Sequence, residues 1–423
     1  IDVGIAVTVQ DSTMSFGLGK IFSRGLSTLP PVRDRVMIRA AANTHDEIKD
    51  SVRALCSKFP GEYWQVQDRE KLYPKEFVDE LTQSGYLSLL IPEKYGGSGL
   101  GLEEACVVME EIHRSGCNGG AAHAQMYTMG TILRYGSEEQ KQEYLPKIAR
   151  GELRLQAFGV SEPNSGTDTL SLETIARPHV QDGVEGYMIN GTKLWTSRAE
   201  HSDLMLLLAR TGDSNTPRRD CLSTFLIDMR KETKLTIKPI ETMVNHSTCQ
   251  VFFDNLFVPK GNLVGEEGSG FRYILGSMNA ERILIASECI GDARFFIDRA
   301  TTYSKERVVF GRPIGQNQGI QFPISQAYVN IEAASLMVQA AAALYSSNQD
   351  CGPQANMAKY LASEASWAAG EACMQTYGGF AFATEYDIER KWREARLYRI
   401  APISSNLILT NIAEKVLGMP RSF

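Results

Sequence analysis

Between residues 158 and 168 the chain reads Phe158-Gly159-Val160-Ser161-Glu162-Pro163-Asn164-Ser165-Gly166-Thr167-Asp168. An apolar run enters this stretch; hydroxyls, a proline and glycines leave it. Such a loop closes a strand and offers side-chain oxygens and backbone N–H groups to a phosphate or a planar heterocycle. Taken alone it is a polar turn. Its surroundings matter more, because the periodicity of the chain changes here. Upstream, from Asp46 to Arg154, apolar residues recur at helical spacing. Pro74 opens a helical run that Gly85 ends, and the turn Tyr95-Gly96-Gly97-Ser98-Gly99 precedes another over Leu102–Arg114. Ser137-Glu138-Glu139-Gln140 has the pattern of a capping box.

Downstream the runs shorten. Leu204–Leu208, Ser223–Ile227, Leu235–Ile240 and Gln250–Phe253 are divided by turn residues at Asp182-Gly183, Asn190-Gly191 and Gly212-Asp213. That spacing predicts an antiparallel β-sandwich or barrel. After Gly270 the helical period returns, with helices expected at 271–306, 321–347, 353–378 and 385–415, the pattern of a four-helix bundle. The expected fold is therefore α+β and multidomain: a helical N-terminal domain over 46–154, a β domain over 155–265 and a C-terminal bundle over 266–423.

Composition excludes several function classes. The 423 residues carry 44 Lys+Arg against 50 Asp+Glu, a net charge of −6, which argues against a nucleic-acid binder. No uninterrupted apolar run approaches the ~18 residues of a membrane span, so no transmembrane segment is expected. The eight cysteines include no CxxC pair and the six histidines no HxxH or HExxH, so neither a disulfide framework nor a metal site is expected. No glycine fingerprint of a Rossmann domain or P-loop is present. Residues 1–45 read as a flexible basic leader: Lys20, Arg24 and Arg33 lie among serines and threonines, with no acid between Met14 and Arg33. That is the composition of a mitochondrial transit peptide; the alternative is a disordered basic tail. The first implies the mitochondrial matrix; the second leaves the cytoplasm.

A second segment, Gly191-Thr192-Lys193-Leu194-Trp195-Thr196-Ser197, places a tryptophan before two hydroxyl residues. It can stack on an aromatic cofactor and bond its edge. By itself the segment favours a tryptophan in the β-domain core. With Ile91-Pro92-Glu93-Lys94-Tyr95-Gly96-Gly97, Phe257-Val258-Pro259, Gly265-Glu266-Glu267-Gly268, Arg307-Val308-Val309-Phe310-Gly311 and Gln375-Thr376-Tyr377-Gly378-Gly379, the chain from Asp46 onward resembles the acyl-CoA dehydrogenase family. Ala381 and Glu394 are mild departures from the family pattern.

The resemblance implies FAD between the β domain and the bundle, oxidation of an acyl-CoA thioester to the trans-2-enoyl-CoA, electron transfer to an electron-transferring flavoprotein, and a homo-oligomer, most simply a tetramer. It implies that Phe158, Val160 and Ser161 line the flavin, that Trp195 stacks beside it and that Ser197 bonds close to N5. Arg307, Phe310 and Gln318 are implied to hold the FAD of a neighbouring subunit. Gln375, Gly378 and Gly379 are implied to meet its adenosine-diphosphate part, and Ser404 and Asn406 to lie on the flavin side. Thr167 is implied at the cofactor and the CoA moiety.

Removing the α proton needs a desolvated carboxylate with its pKa raised toward neutrality. Many family members carry that glutamate where this chain has Pro402, in Tyr398-Arg399-Ile400-Ala401-Pro402-Ile403-Ser404. The isovaleryl-CoA and long-chain dehydrogenases carry it on the first bundle helix, where this chain has Asn279-Ala280-Glu281-Arg282. A helical wheel sets Arg282 within the stripe of Phe271, Ile274, Leu275, Met278 and Ile285, and Glu281 at its edge. A charged pair there reads either as a buried ion pair or as a base, Glu281, oriented by Arg282, with Asn279 and Arg282 at the substrate. Pro402 also lacks the N–H that the family offers to the thioester oxygen. A non-catalytic acyl-CoA or fatty-acid binder and a related flavin oxidase or monooxygenase are the alternatives.

Overall fold

The computed structural model describes residues 45–213, 215–231 and 234–422. The basic leader falls almost wholly outside them. Helix α1 spans 45–56; α2 (Gly61–Arg69), α3 (Lys75–Gln83), α4 (Leu102–Arg114), α5 (Gly120–Tyr135) and α6 (Glu138–Ala149) follow. Gly85 ends the α3 region at φ +80°, a conformation glycine adopts without penalty. The capping box forms: Gln140 N–H donates to Ser137 Oγ at 3.2 Å, and Ser137 N–H to Gln140 Oε1 at 3.1 Å.

An eight-stranded sheet comes next, made of β1 (Leu155–Gly159), β2 (Ile175–Gln181), β3 (Val184–Ser197), β4 (Leu204–Arg210), β5 (Leu222–Asp228), β6 (Leu235–Pro239), β7 (Thr248–Pro259) and β8 (Leu263–Val264). The order is β6-β7-β3-β2-β4-β5-β8, with β1 pairing β4. The sheet is mixed rather than antiparallel throughout, because β1 and β2 both run parallel to β4. Asp182-Gly183 is the expected two-residue turn, joining β2 to β3. Asn190-Gly191 is not a turn. It lies inside β3, where Gly191 makes a bulge at φ +150° and a Cβ would sit 2.5 Å from Thr174 Oγ1.

The bundle consists of α7 (Gly270–Glu306), α8 (Gln318–Ser346), α9 (Gly352–Tyr377), α10 (Ile388–Leu397) and α11 (Ser405–Asn411), with the hairpin β9 (Val308–Val309) and β10 (Arg312–Pro313) between α7 and α8. The helix expected at 385–415 is broken across 398–404, around Pro402, which cannot donate to a helical ladder. Helix α7 is central and packs on α4, α5, α8 and α9. It meets α4 at backbone distance: a Cβ on Gly291 would lie 2.2 Å from Glu110 O. Helix α8 is, by length and composition only, long and apolar enough to cross a membrane, a test that a core helix also passes. It packs into the bundle through Ala327, Ile331, Ala334, Val338 and Ala341, and exposes Phe322, Tyr328, Val329 and Leu336.

Candidate active site

A buried ion pair fixes the loop after β1. Lys193, on β3, places Nζ 2.7 Å from Glu162 Oε1 and donates to Val160 O at 3.0 Å. Glu162 also accepts the backbone N–H of Thr174 at 2.9 Å and of Glu173 at 2.5 Å. Burial lowers the Lys193 ammonium to about 8, against the pull of Glu162. Burial raises the Glu162 carboxyl, but Lys193 and the two N–H donors hold it below its ordinary value. Phe158, Val160 and Ser161 are thereby held half-buried along the rim of β3, while Thr167 is exposed at the tip of the loop.

Trp195 does not join the core. It is 57% exposed, at φ +59° where the β3–β7 register shifts, so the ring stands outside the sheet as a platform. Ser197, half-buried, follows on the same strand. Next to it Arg198 is buried and donates to His246 Nδ1 at 2.9 Å.

The two ends of the bundle segments meet in one cavity of about 670 Å³, lined by Arg307, Phe310, Asn317, Tyr377, Gly378 and Gly379 among others. Phe310 is fully exposed at φ +53°, and the Arg307 guanidinium lies 5.4 Å from the centre of the Phe380 ring. Gln318 and Gln375 are exposed near the rim, outside the lining. Ser404 caps α11 by accepting the Leu407 N–H at 3.3 Å, and Asn406, the second residue of that helix, is exposed. Beneath this segment the fully buried Lys359 donates to Ile403 O at 2.8 Å, which pins the stretch that follows Pro402.

Glu281 is 6% exposed on the α7 face that meets α5. Burial pushes its carboxyl up to about 6, against His123 and Arg282, which favour the charged form. Arg282 is not its ion-pair partner among the described residues: the guanidinium donates to Asn279 Oδ1 at 2.8 Å. The buried ion pair, the alternative to a base, does not form: Asn279 lies one turn back and takes the guanidinium, while the Arg282 charge still favours the ionised Glu281 through space. Leu275, placed by the wheel in the apolar stripe, is instead 45% exposed.

The other carboxylate on this helix is engaged. His123 Nδ1 lies 2.6 Å from Glu288 Oε1; Tyr398 Oη and His113 Nε2 lie 3.1 and 3.3 Å from Oε2. Burial alone would raise Glu288, but the two imidazoles hold it well below the carboxylate range. The network continues from His113 Nδ1 to Asp292 at 2.9 Å, to Lys391 at 2.5 Å and to Glu394 at 3.0 Å. Sequence reasoning missed these partners, which come from four helices far apart in the chain.

Three family descriptions match in order: acyl-CoA dehydrogenase N-terminal domain over 42–152, middle domain over 157–256 and C-terminal domain over 268–417. An acyl-CoA dehydrogenase of Mycobacterium bovis is 34% identical over 380 residues, 89% of this chain and 96% of that protein. The chain belongs to the acyl-CoA dehydrogenase family. Butyryl-CoA dehydrogenase of Megasphaera elsdenii superposes with a TM-score of 0.80 at 28% identity, covering 88% of this chain and 98% of that one. A chain from work on the electron transferring flavoprotein of Acidaminococcus fermentans gives 0.82 at 29%, covering 88% and 97%.

Members of this family are FAD flavoproteins. The residues of this acyl-CoA dehydrogenase fit that cofactor on structural grounds. Trp195 and Phe310 are large aromatic surfaces left without protein neighbours to bury them, and a Cβ on Gly378 or Gly379 would meet nothing within 4 Å.

Proposed function

We propose that this acyl-CoA dehydrogenase uses bound FAD to oxidise the Cα–Cβ bond of an acyl-CoA thioester to the trans-2-enoyl-CoA, with Glu281 as the base. The observation that carries this reading is a buried carboxylate, its pKa pushed up to about 6, near Tyr127, whose ring packs edge-on against Phe158. When bound, FAD supplies the acceptor for the hydride that leaves Cβ.

The chain's own residues do the rest. Glu281 takes the α proton, and its desolvation matches its basicity to a weak carbon acid better than an exposed glutamate would. Phe158 and Tyr127, with ring centres 5.6 Å apart, exclude water from that side. Trp195 offers a stacking face and Ser197 a hydroxyl donor. Arg307, Phe310, Gly378 and Gly379 form the cavity for the adenosine-diphosphate part. Pro402 offers no N–H to the thioester oxygen; the next donor along is the Ile403 N–H, on the stretch that Lys359 pins.

The same reading includes a homo-oligomer, most simply a tetramer, and an electron-transferring flavoprotein as acceptor. Exposed Phe322, Tyr328, Val329 and Leu336 on α8 support the first, since apolar residues grouped on one helix are what an interface between copies buries. Family membership supports the second. The test is anaerobic titration of the purified, FAD-loaded protein with a panel of acyl-CoAs. Bleaching of the flavin absorbance supports dehydrogenation. Tight binding with no bleaching favours a non-catalytic binder, and protein that takes up no FAD removes the reading.

A further inference from the structure

A second cavity, of about 20 Å³, lies where α2, α5, α10 and the turn after β3 meet. Arg198 borders it and is 6% exposed. Among the described residues this guanidinium makes no ion pair; it donates to His246 Nδ1 at 2.9 Å. Desolvation, and then the Arg198 charge, push that imidazole down to about 3, so the partner is neutral. A buried guanidinium without a carboxylate is unusual. Arg198 also sits at the electrostatically wrong end of a helix. A Cβ on Gly120, the first residue of α5, would lie 2.1 Å from Arg198 Nη2. The first turn of a helix carries unsatisfied N–H groups and the positive end of the dipole. Asn118 Oδ1 takes the Gly120 N–H at 3.0 Å, and Ala121, next along, borders the cavity.

A further donor borders the same cavity. Trp64 is 3% exposed, and its Nε1–H has no partner among the described residues. The nearby Cys117 thiol donates weakly to Cys56 O and Phe59 O instead. An indole N–H can only donate. We propose that this cavity binds one monatomic monovalent anion, chloride in solution, between Arg198, Trp64 and the first turn of α5. The volume admits one water-sized or monatomic occupant and is too small for a phosphate or a carboxylic acid. Charge decides between water and an anion. A water leaves the guanidinium and the helix end facing each other, whereas an anion answers both. Two carboxylates border the cavity, but each is already paired. Glu394 accepts from Arg390 at 2.9 Å and Lys391 at 3.0 Å, and Asp68 from Arg393 at 2.7 Å. Gln67 Oε1 also lacks a partner there, and a half-turn of that amide presents its NH₂ group to the anion. Trp64 belongs to the N-terminal domain, Arg198 to the β domain and Glu394 to the bundle, so an anion held here stabilises the junction of all three.

Thermal melting of the full chain in sodium chloride and in sodium gluconate, at equal ionic strength, tests this, because gluconate is too large to enter. The expected result is a melting temperature that rises with chloride and saturates. Bromide soaked into crystals should give an anomalous peak in the cavity. Trp64→Phe removes the N–H and keeps an aromatic ring. It should raise the half-saturating chloride concentration at least about tenfold, the loss of one hydrogen bond to a charged group. Arg198→Met should abolish the chloride response; if that variant does not fold, the bromide crystal and Trp64→Phe decide. Superimposable melting curves in the two salts overturn the proposal. So does a bromide-soaked crystal with only a water in the cavity, or a chloride response unchanged in Trp64→Phe.

Discussion

Replacing Lys193 with methionine probes the architecture of the cofactor loop directly. Lys193 is fully buried and its ammonium answers Glu162, whose side chain is 5% exposed. Removing one member of a buried pair costs about 3–5 kcal/mol, because the other charge is left behind in low dielectric. Glu162 would keep its two backbone donors, Glu173 and Thr174, so the lower end, about 3 kcal/mol, applies. If the β domain melts as a unit, that corresponds to a fall on the order of 10 °C in its transition. Glu162→Gln leaves the ammonium with Val160 O as its neutral partner and should cost a similar amount. The double variant should cost clearly less than the sum, since neither charge is then unpaired. Calorimetry on all four proteins measures this, with bound FAD per chain read from the visible spectrum. Additive effects, or a Lys193→Met transition within 2 °C of the parent, roughly under 1 kcal/mol, would refute the idea that this pair holds the loop.

Three further outcomes follow from the same geometry. Glu281 must be ionised to accept a proton, and its carboxyl is pushed up to about 6, so the rate of flavin reduction at low substrate should rise with pH and level off above an acid limb near 6; stopped-flow absorbance between pH 5 and 8 checks it. Burial disfavours the charged His113 imidazole, but Asp292 raises it to about 9, so its contribution to stability is complete below about 6.5 and lost as pH rises through 9. The melting temperature should therefore fall over that window, and the fall should flatten in His113→Gln. Gly291→Ala pushes a methyl against Glu110 O and should destabilise the α4–α7 contact by about 3 kcal/mol, measured by denaturant unfolding, with no direct effect on the flavin spectrum.

What the sequence revealed was local. Periodicity located α7, α8 and α9 to within a few residues, and the strands β4, β5 and β6 nearly as well; β4 and β5 show as short continuous apolar runs because both their faces are buried. The capping box at Ser137 and the turn at Asp182-Gly183 were legible for the same reason: their partners lie within four residues. Asn190-Gly191 misled because a bulge and a turn use the same glycine, and only pairing with β7 distinguishes them. Trp195 looked like a core residue since nothing in a strand pattern shows that the register slips there. The helical wheel set Arg282 next to Glu281 but did not show that its hydrogen-bond partner is Asn279. The contacts His123–Glu288, Lys193–Glu162 and Lys359–Ile403 were invisible, because a charged residue on an apolar face announces that it has a partner and not which one.

The central claim is that Glu281 removes the α proton, and stopped-flow reduction of three FAD-loaded proteins tests it most directly. Parent, Glu281→Gln and Glu288→Gln are each mixed anaerobically with a saturating acyl-CoA that bleaches the parent. The account predicts unchanged FAD and acyl-CoA binding in Glu281→Gln with reduction slowed at least ~10³-fold, the scale of losing a general base. Glu288→Gln should still reduce, since Glu288 is already committed to His123, His113 and Tyr398. Normal bleaching in Glu281→Gln, with or without its loss in Glu288→Gln, would contradict the assignment.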